Sequence, residues 1–167
     1  MEKRMRQGVC LTGAIAVYFL VHEGAHAIVA AYYGVLKRVN FMLMGIQIDV
    51  YAEQMTPLQM GVFCLAGAVA TLVTAWLLVL LRERICALKS KYVRALAWYV
   101  MLILLVLDPL YLTVLHFLVG GGDMNGIALI MPKACAIGIF ALLLVAGIAA
   151  IVRWVYPAYK RSFAEQG

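Results

Sequence analysis

Charge is what this 167-residue sequence has least of: Asp, Glu, Lys and Arg together make up 13% of it, while hydrophobic residues make up 66%. A water-soluble domain carries roughly a quarter charged residues, so a soluble globule is excluded. Cysteine is sparse too. Cys10, Cys64, Cys86 and Cys135 are scattered, and no two show the close spacing of a zinc ribbon or a redox pair. They read as small apolar packing residues. No internal repeat is visible, and the apolar runs leave no room for a second, soluble domain.

What is present is long apolar runs. A helix needs about 20 mostly apolar residues to cross the hydrocarbon layer, because every backbone polar group there must be satisfied within its own segment. Four stretches qualify, at about 8–35, 57–81, 95–119 and 134–152. We expect an all-α polytopic membrane protein forming one membrane domain over 1–167. The basic start, the apolar run and the triplet Ala25, His26, Ala27 imitate a signal peptide, but the apolar stretch continues to Val35, which favours a span.

The net charge of +6 reports orientation. Lys3, Arg4 and Arg6 precede the first span. Arg82, Arg84, Lys89, Lys91 and Arg94 lie between the second and third, and Arg153, Lys160 and Arg161 follow the fourth. Only Lys37, Arg38 and Lys133 fall on the other side. The asymmetry predicts both termini in the cytoplasm, here of a prokaryotic cell membrane, and contact with membrane lipid headgroups. Nothing in it suggests nucleic acid.

Between the first two spans the period changes. Ile46, Ile48 and Val50 alternate with Gln47, Asp49 and Tyr51, and Val39, Phe41 and Leu43 alternate with Asn40, Met42 and Met44. That is the period of half-buried strands, and it predicts a short membrane-associated β-hairpin over about 36–51, with an irregular interfacial loop as the alternative. Gly120, Gly121 and Gly122 cannot belong to a stable helix interior, which predicts a glycine-rich re-entrant loop over 120–133. Such backbone is tolerated at membrane depth only against protein or a wet cavity, where a site would lie.

The chemistry-bearing feature is His22-Glu23-Gly24-Ala25-His26, an HExxH sequence inside an apolar helix. Residues four apart share a helix face, so both imidazoles can point at one metal ion while Glu23 reaches a water beside it; the geometry suits zinc. A hydrogen-bonded polar cluster between helices is the bland alternative. Ionisable groups in a span are costly, however, which makes a functional role the default.

A catalytic zinc takes three protein ligands and keeps a position for water. At ~1.5 Å per residue, His22 should lie ~24 Å beyond Arg6, toward the outer half of the bilayer. Asp123 follows the outer end of the third span and reaches that level, as does His116, the runner-up third ligand. Asp108 sits nearer mid-membrane beside Pro109, and we expect it to serve structure or support the site rather than ligate. Asp49 and Glu53 are expected to face solvent or the mouth of the site.

These residues resemble the site-2 protease family of intramembrane zinc metalloproteases. The likeness rests on HEGAH at 22 to 26, on Gly34 to Val39 running into a strand-like segment, on Leu65, Ala66 and Gly67 of the next span, and on the late Asp123 near glycines. It covers most of residues 15 to 130. The resemblance implies that His22, His26 and Asp123 bind Zn2+ and that Glu23 is the general base. It also implies a three-helix core cutting a transmembrane protein or peptide substrate. The family's late motif has Asn and Pro ahead of Asp-Gly, whereas here Asp123 is followed by Met124, Asn125 and Gly126. Family sites lie toward the cytoplasm, while charge counting places this one outward. Two other function classes stay open: an ion or proton transporter or channel using the His/Glu/Asp cluster, and a non-catalytic subunit of a membrane complex. No sensing domain is visible, so regulation is expected to come either from a regulatory membrane partner or from substrate availability.

Overall fold

The computed structural model describes residues 2–42 and 45–165. Helix α1 spans Glu2–Tyr32, starting earlier than the apolar run because the charged residues before Gly8 continue the same helix. It stops where Gly34 takes φ 71°. There the Val35 amide donates to Ala30 O and the Gly34 amide to Ala31 O, the paired bonds that close a helix through a left-handed glycine. Val35 and Ala30 are both buried beneath this cap.

The hairpin follows at once. Strand β1, Leu36–Met42, pairs antiparallel with β2, Gly45–Val50, with Val39 opposite Ile48 and Phe41 opposite Ile46. The Tyr51 amide closes its base on Val35 O. Ile48 is buried while Phe41 is 82% exposed, so β2 faces the protein and β1 turns outward. Leu43 and Met44, expected to continue the alternation, lie outside the described residues. Arg38 and Asp49 pair across the strands at 2.8 Å, and this hydrogen bond holds the Asp49 carboxyl below the ordinary carboxylate range.

Helix α2, Pro57–Leu80, opens with a capping box. The Gln59 amide donates to Thr56 Oγ1 and the Thr56 amide to Gln59 Oε1, with proline in the first turn. Helix α3, Arg82–Cys86, then turns the chain toward α4, Lys91–Leu110. Pro109 brings no N–H to the ladder, and the helix widens into a π turn over Tyr111–Leu115 before resuming as α5, His116–Val119. The Thr113 hydroxyl donates to Pro109 O.

One expectation needs correction here. The stretch 120–133 is not all loop: Gly120, at φ 96°, and Gly121 break the helix, Gly122–Ile127 forms a short helix, α6, and residues 128–132 turn the chain into the next one. Glycine weakens a helix interior, but these six residues are held by packing, with Met124 and Ile127 fully buried. The fourth apolar run is helical and its helix continues beyond 152. Helix α7, Lys133–Ala150, continues through a π turn at Ile151–Val155 into α8, Tyr156–Glu165. This tail is held by side chains: Tyr159 is buried, and the Ser162 hydroxyl donates to Cys86 O.

Among the described residues there are thus four helical runs long and apolar enough to cross a membrane, plus a two-stranded antiparallel sheet. Many of the most exposed side chains are apolar, Leu20, Ile28, Leu80 and Leu142 among them, as expected of faces that meet acyl chains. Cys10, Cys64 and Cys86 are buried, as packing residues should be, whereas Cys135 is exposed.

Candidate metal centre

His22 and His26 lie one turn apart on α1 with their rings at 4.8 Å, both buried. What fixes each ring is the partner of its Nδ1. The His26 Nδ1–H donates to Phe63 O of α2 at 2.7 Å, and the His22 Nδ1–H donates to Asp108 Oδ2 of α4 at 3.1 Å. An imidazole that donates through Nδ1 keeps the lone pair on Nε2. Both free lone pairs then point to one spot, where the two Nε2 atoms stand 3.1 Å apart.

The third member arrives from the glycine break. Asp123, in the first turn of α6, places Oδ2 at 3.3 Å from His22 Nε2 and Oδ1 at 3.8 Å from His26 Nε2. The contributing atoms of His22, His26 and Asp123 all lie within 4.8 Å of one another, and this trio could hold a metal ion. Helix α6 is seated by small atoms. A Cβ on Gly126 would come within 2.2 Å of Cys64 Sγ, so only glycine lets α6 approach α2 this closely. Tyr111, in the π turn, ties the break down by donating its hydroxyl to Gly120 O at 2.9 Å.

The surroundings test whether a cation fits. Two neutral imidazoles and a carboxylate are a donor set that divalent transition metals accept. Space for the ion is kept by Gly67 of α2, where a Cβ would sit 2.6 Å from the Nε2 of both histidines. The residues present therefore fit the group. Beside it, Glu23, His26, Phe63, Cys64 and Asp123 line a cavity of about 280 Å³ together with Gln47 and Ile48 of β2. The backbone N–H of Ile48 faces the Glu23 carboxylate.

No family model, curated protein or solved structure matches the chain. The site therefore stands on its geometry.

Of the residues singled out from sequence, His22, His26 and Asp123 come together and Glu23 borders the same space. His116 does not join them. It is buried against Phe117, with Nδ1 near Tyr111 O at 3.3 Å. Asp108 is not a ligand but a hub: it accepts from Tyr18 at 2.6 Å, from Thr71, and from His22. Its bonds run to other helices and not to the backbone around Pro109, whose carbonyl accepts from Thr113. Glu53 is exposed, and Asp49 is engaged with Arg38 in the hairpin. Sequence reading missed Tyr18, Thr71 and the Phe63 carbonyl. Tyr18 had a signal, since it lies four residues before His22 and so on the same helix face; the other two had none. Cys64, expected only to pack, also lines the cavity.

Three outcomes follow. Asp123→Ala should strip bound metal from the purified protein while His116→Ala retains it, as read by elemental analysis of the two side by side. Asp108→Asn should weaken metal affinity by about 10–100-fold, the usual effect of removing the carboxylate behind a ligating histidine, measured by competition with a chelator. Gly67→Ala should abolish stoichiometric metal binding while leaving the helix content seen by circular dichroism unchanged.

Proposed function

We propose that the chain is an intramembrane zinc metalloprotease of the site-2 protease type, hydrolysing peptide bonds of membrane-embedded substrates. The observation that carries this reading is the convergence of His22, His26 and Asp123 next to Glu23, on helices apolar enough to lie in a bilayer. A two-histidine, one-carboxylate set with one position left for water is the arrangement of hydrolytic zinc, and a following glutamate is the usual base in HExxH sites.

The protein's own groups would divide the work as follows. Asp108 and the Phe63 carbonyl hold the two imidazoles in the tautomer that leaves Nε2 free. Asp123 adds the negative charge that offsets the cation. Zinc, when bound, would polarise the scissile carbonyl and lower the pKa of a coordinated water to ~7. Glu23 would take the proton from the attacking water and return it to the leaving amine, so that no net proton is consumed by the side chain. The half-buried cavity keeps this exchange away from the lipid.

Substrate presentation falls to β2. A transmembrane helix has its carbonyls bonded internally and must unwind before water can attack. Gln47 and Ile48 line the same cavity as Glu23, His26 and Asp123, so a segment drawn out alongside this strand would carry its carbonyls past the catalytic groups. Gly122, beside Asp123, completes this wall of the cavity.

Glu23→Gln separates catalysis from binding. It should keep stoichiometric zinc and slow cleavage of a panel of co-expressed single-span reporter proteins by at least about 100-fold, the lower end of what a positioned general base contributes. Equal cleavage by the two forms would end the protease reading.

A further inference from the structure

Helices α1 and α4 start at the same, basic end and run side by side, and two hollows with no lining residue in common follow one another along their junction; helical spacing makes them the upper and lower parts of one groove. Its wall on α1 is Gln7, Leu11, Ile15 and Phe19, each four residues from the last and therefore on one helix face. Its wall on α4 is Lys91, Ala95, Trp98, Leu102 and Val106, spaced by three or four. The upper part is almost wholly apolar, encloses about 560 Å³, and ends at Tyr18, the residue that donates to Asp108. The lower part, about 490 Å³, is different in kind: Arg6, Gln7 and Lys91 meet there with Trp98, Tyr99 and Phe163 of α8. Leu11 and Ile15 are each 43% exposed.

We propose that this groove is a binding site for one anionic phospholipid, with its phosphate held by Arg6 and Lys91 and an acyl chain laid between Leu11, Ile15, Leu102 and Val106. Charge decides the occupant. The two cations stand where an apolar helix pair meets the polar boundary, at the end of the molecule that holds most of its basic residues, and anionic lipids concentrate against such clusters. Trp98 and Tyr99 beside them are the aromatic residues favoured at headgroup level. A transmembrane peptide would fill the apolar part and leave both cations unmatched; a phospholipid satisfies both parts at once. The site is separate from the cavity of Glu23 and Asp123 and does not depend on the protease reading.

Trp98 is a probe already in place, since the other tryptophans, Trp76 and Trp154, can be changed to phenylalanine. The full chain carrying those two changes would be placed in phosphatidylcholine bilayers doped with phosphatidylglycerol or phosphatidylcholine brominated in the acyl chain. Trp98 fluorescence should be quenched at a roughly thirtyfold lower mole fraction of brominated phosphatidylglycerol than of brominated phosphatidylcholine, the scale set by two basic residues at an anionic surface. Arg6→Gln with Lys91→Gln should remove that preference, while Arg153→Gln with Lys160→Gln should preserve it, with an unchanged helix signal in circular dichroism confirming the fold of each form. Equal quenching by the two lipids in the parent protein would overturn the site. Equal loss of preference in both double variants would overturn it too, because diffuse charge would then be the cause. Trp98 shielded from both lipids by an added transmembrane peptide would assign the groove to peptide and overturn it as well.

Discussion

The carboxylate of Asp108 is the constraint on which the arrangement depends. It is 1% exposed inside an apolar helix, a position where an unpartnered ion would cost several kcal/mol. It is matched by three donors from two other helices: Tyr18 and His22 of α1, and Thr71 of α2. Lipid offers no competing hydrogen bonds, so these three contacts fix how α1, α2 and α4 sit around one another. The same contacts set the tautomer and rotation of His22. Bundle assembly and metal-ligand orientation are therefore one event, and neither would survive loss of the carboxylate intact.

Small residues let that event occur at short range. Apolar burial does not drive helices together in lipid, where the surroundings are as apolar as the interface, so close approach of backbones has to carry the association. Ala14, Ala75 and Ala68 are almost wholly buried, and Gly147 of α7 brings its backbone against Leu105 of α4. Gly67 and Gly126 belong to the same pattern but have a second consequence. One keeps open the spot to which both Nε2 atoms point, and the other lets α6 carry Asp123 to it. A single methyl at either place would be felt at the metal position before it was felt in the fold.

How much of this could be read from sequence depends on the range of the interactions. The spans, the hairpin and the HExxH face follow from local periodicity, and each appears with small shifts of boundary. The pairing of Asp123 with the first helix was reachable because charge asymmetry placed both at one level, even though 97 residues separate it from His26. Asp108 showed itself as a residue in need of partners, but its partners did not, since Tyr18 and Thr71 are ordinary residues until the helices are packed. The breaks were harder. Glycine content alone suggested a loop at 120–133, whereas Met124 and Ile127 draw part of it into a buried helical turn. The helical tail after Ala150 had no signal in the sequence beyond its charges, because what holds it is tertiary: Tyr159 packs on Trp98 of α4 and Ser162 bonds the Cys86 carbonyl at the end of α3.

The position of the site along α1 also bears on how a substrate could reach it. His22 and His26 occupy the last third of the helix, and ten residues after His26 the chain is already in β1. The metal position thus lies near one end of the bundle, beneath a sheet whose outer strand exposes Val39, Phe41 and Met42. An apolar strand face of this kind is unstable in water but at ease among headgroups and the first carbons of the acyl chains. On the proposed reading, a substrate reaching the candidate ligands would pass the hairpin, since Gln47 and Ile48 of β2 line the same cavity as Glu23, His26 and Asp123. Hydrolysis within a membrane needs both an apolar route for the substrate and a supply of water. With His26 about two turns and His22 about three turns before the end of α1, a cavity bordered by both α1 and β2 is where such a site could meet the two.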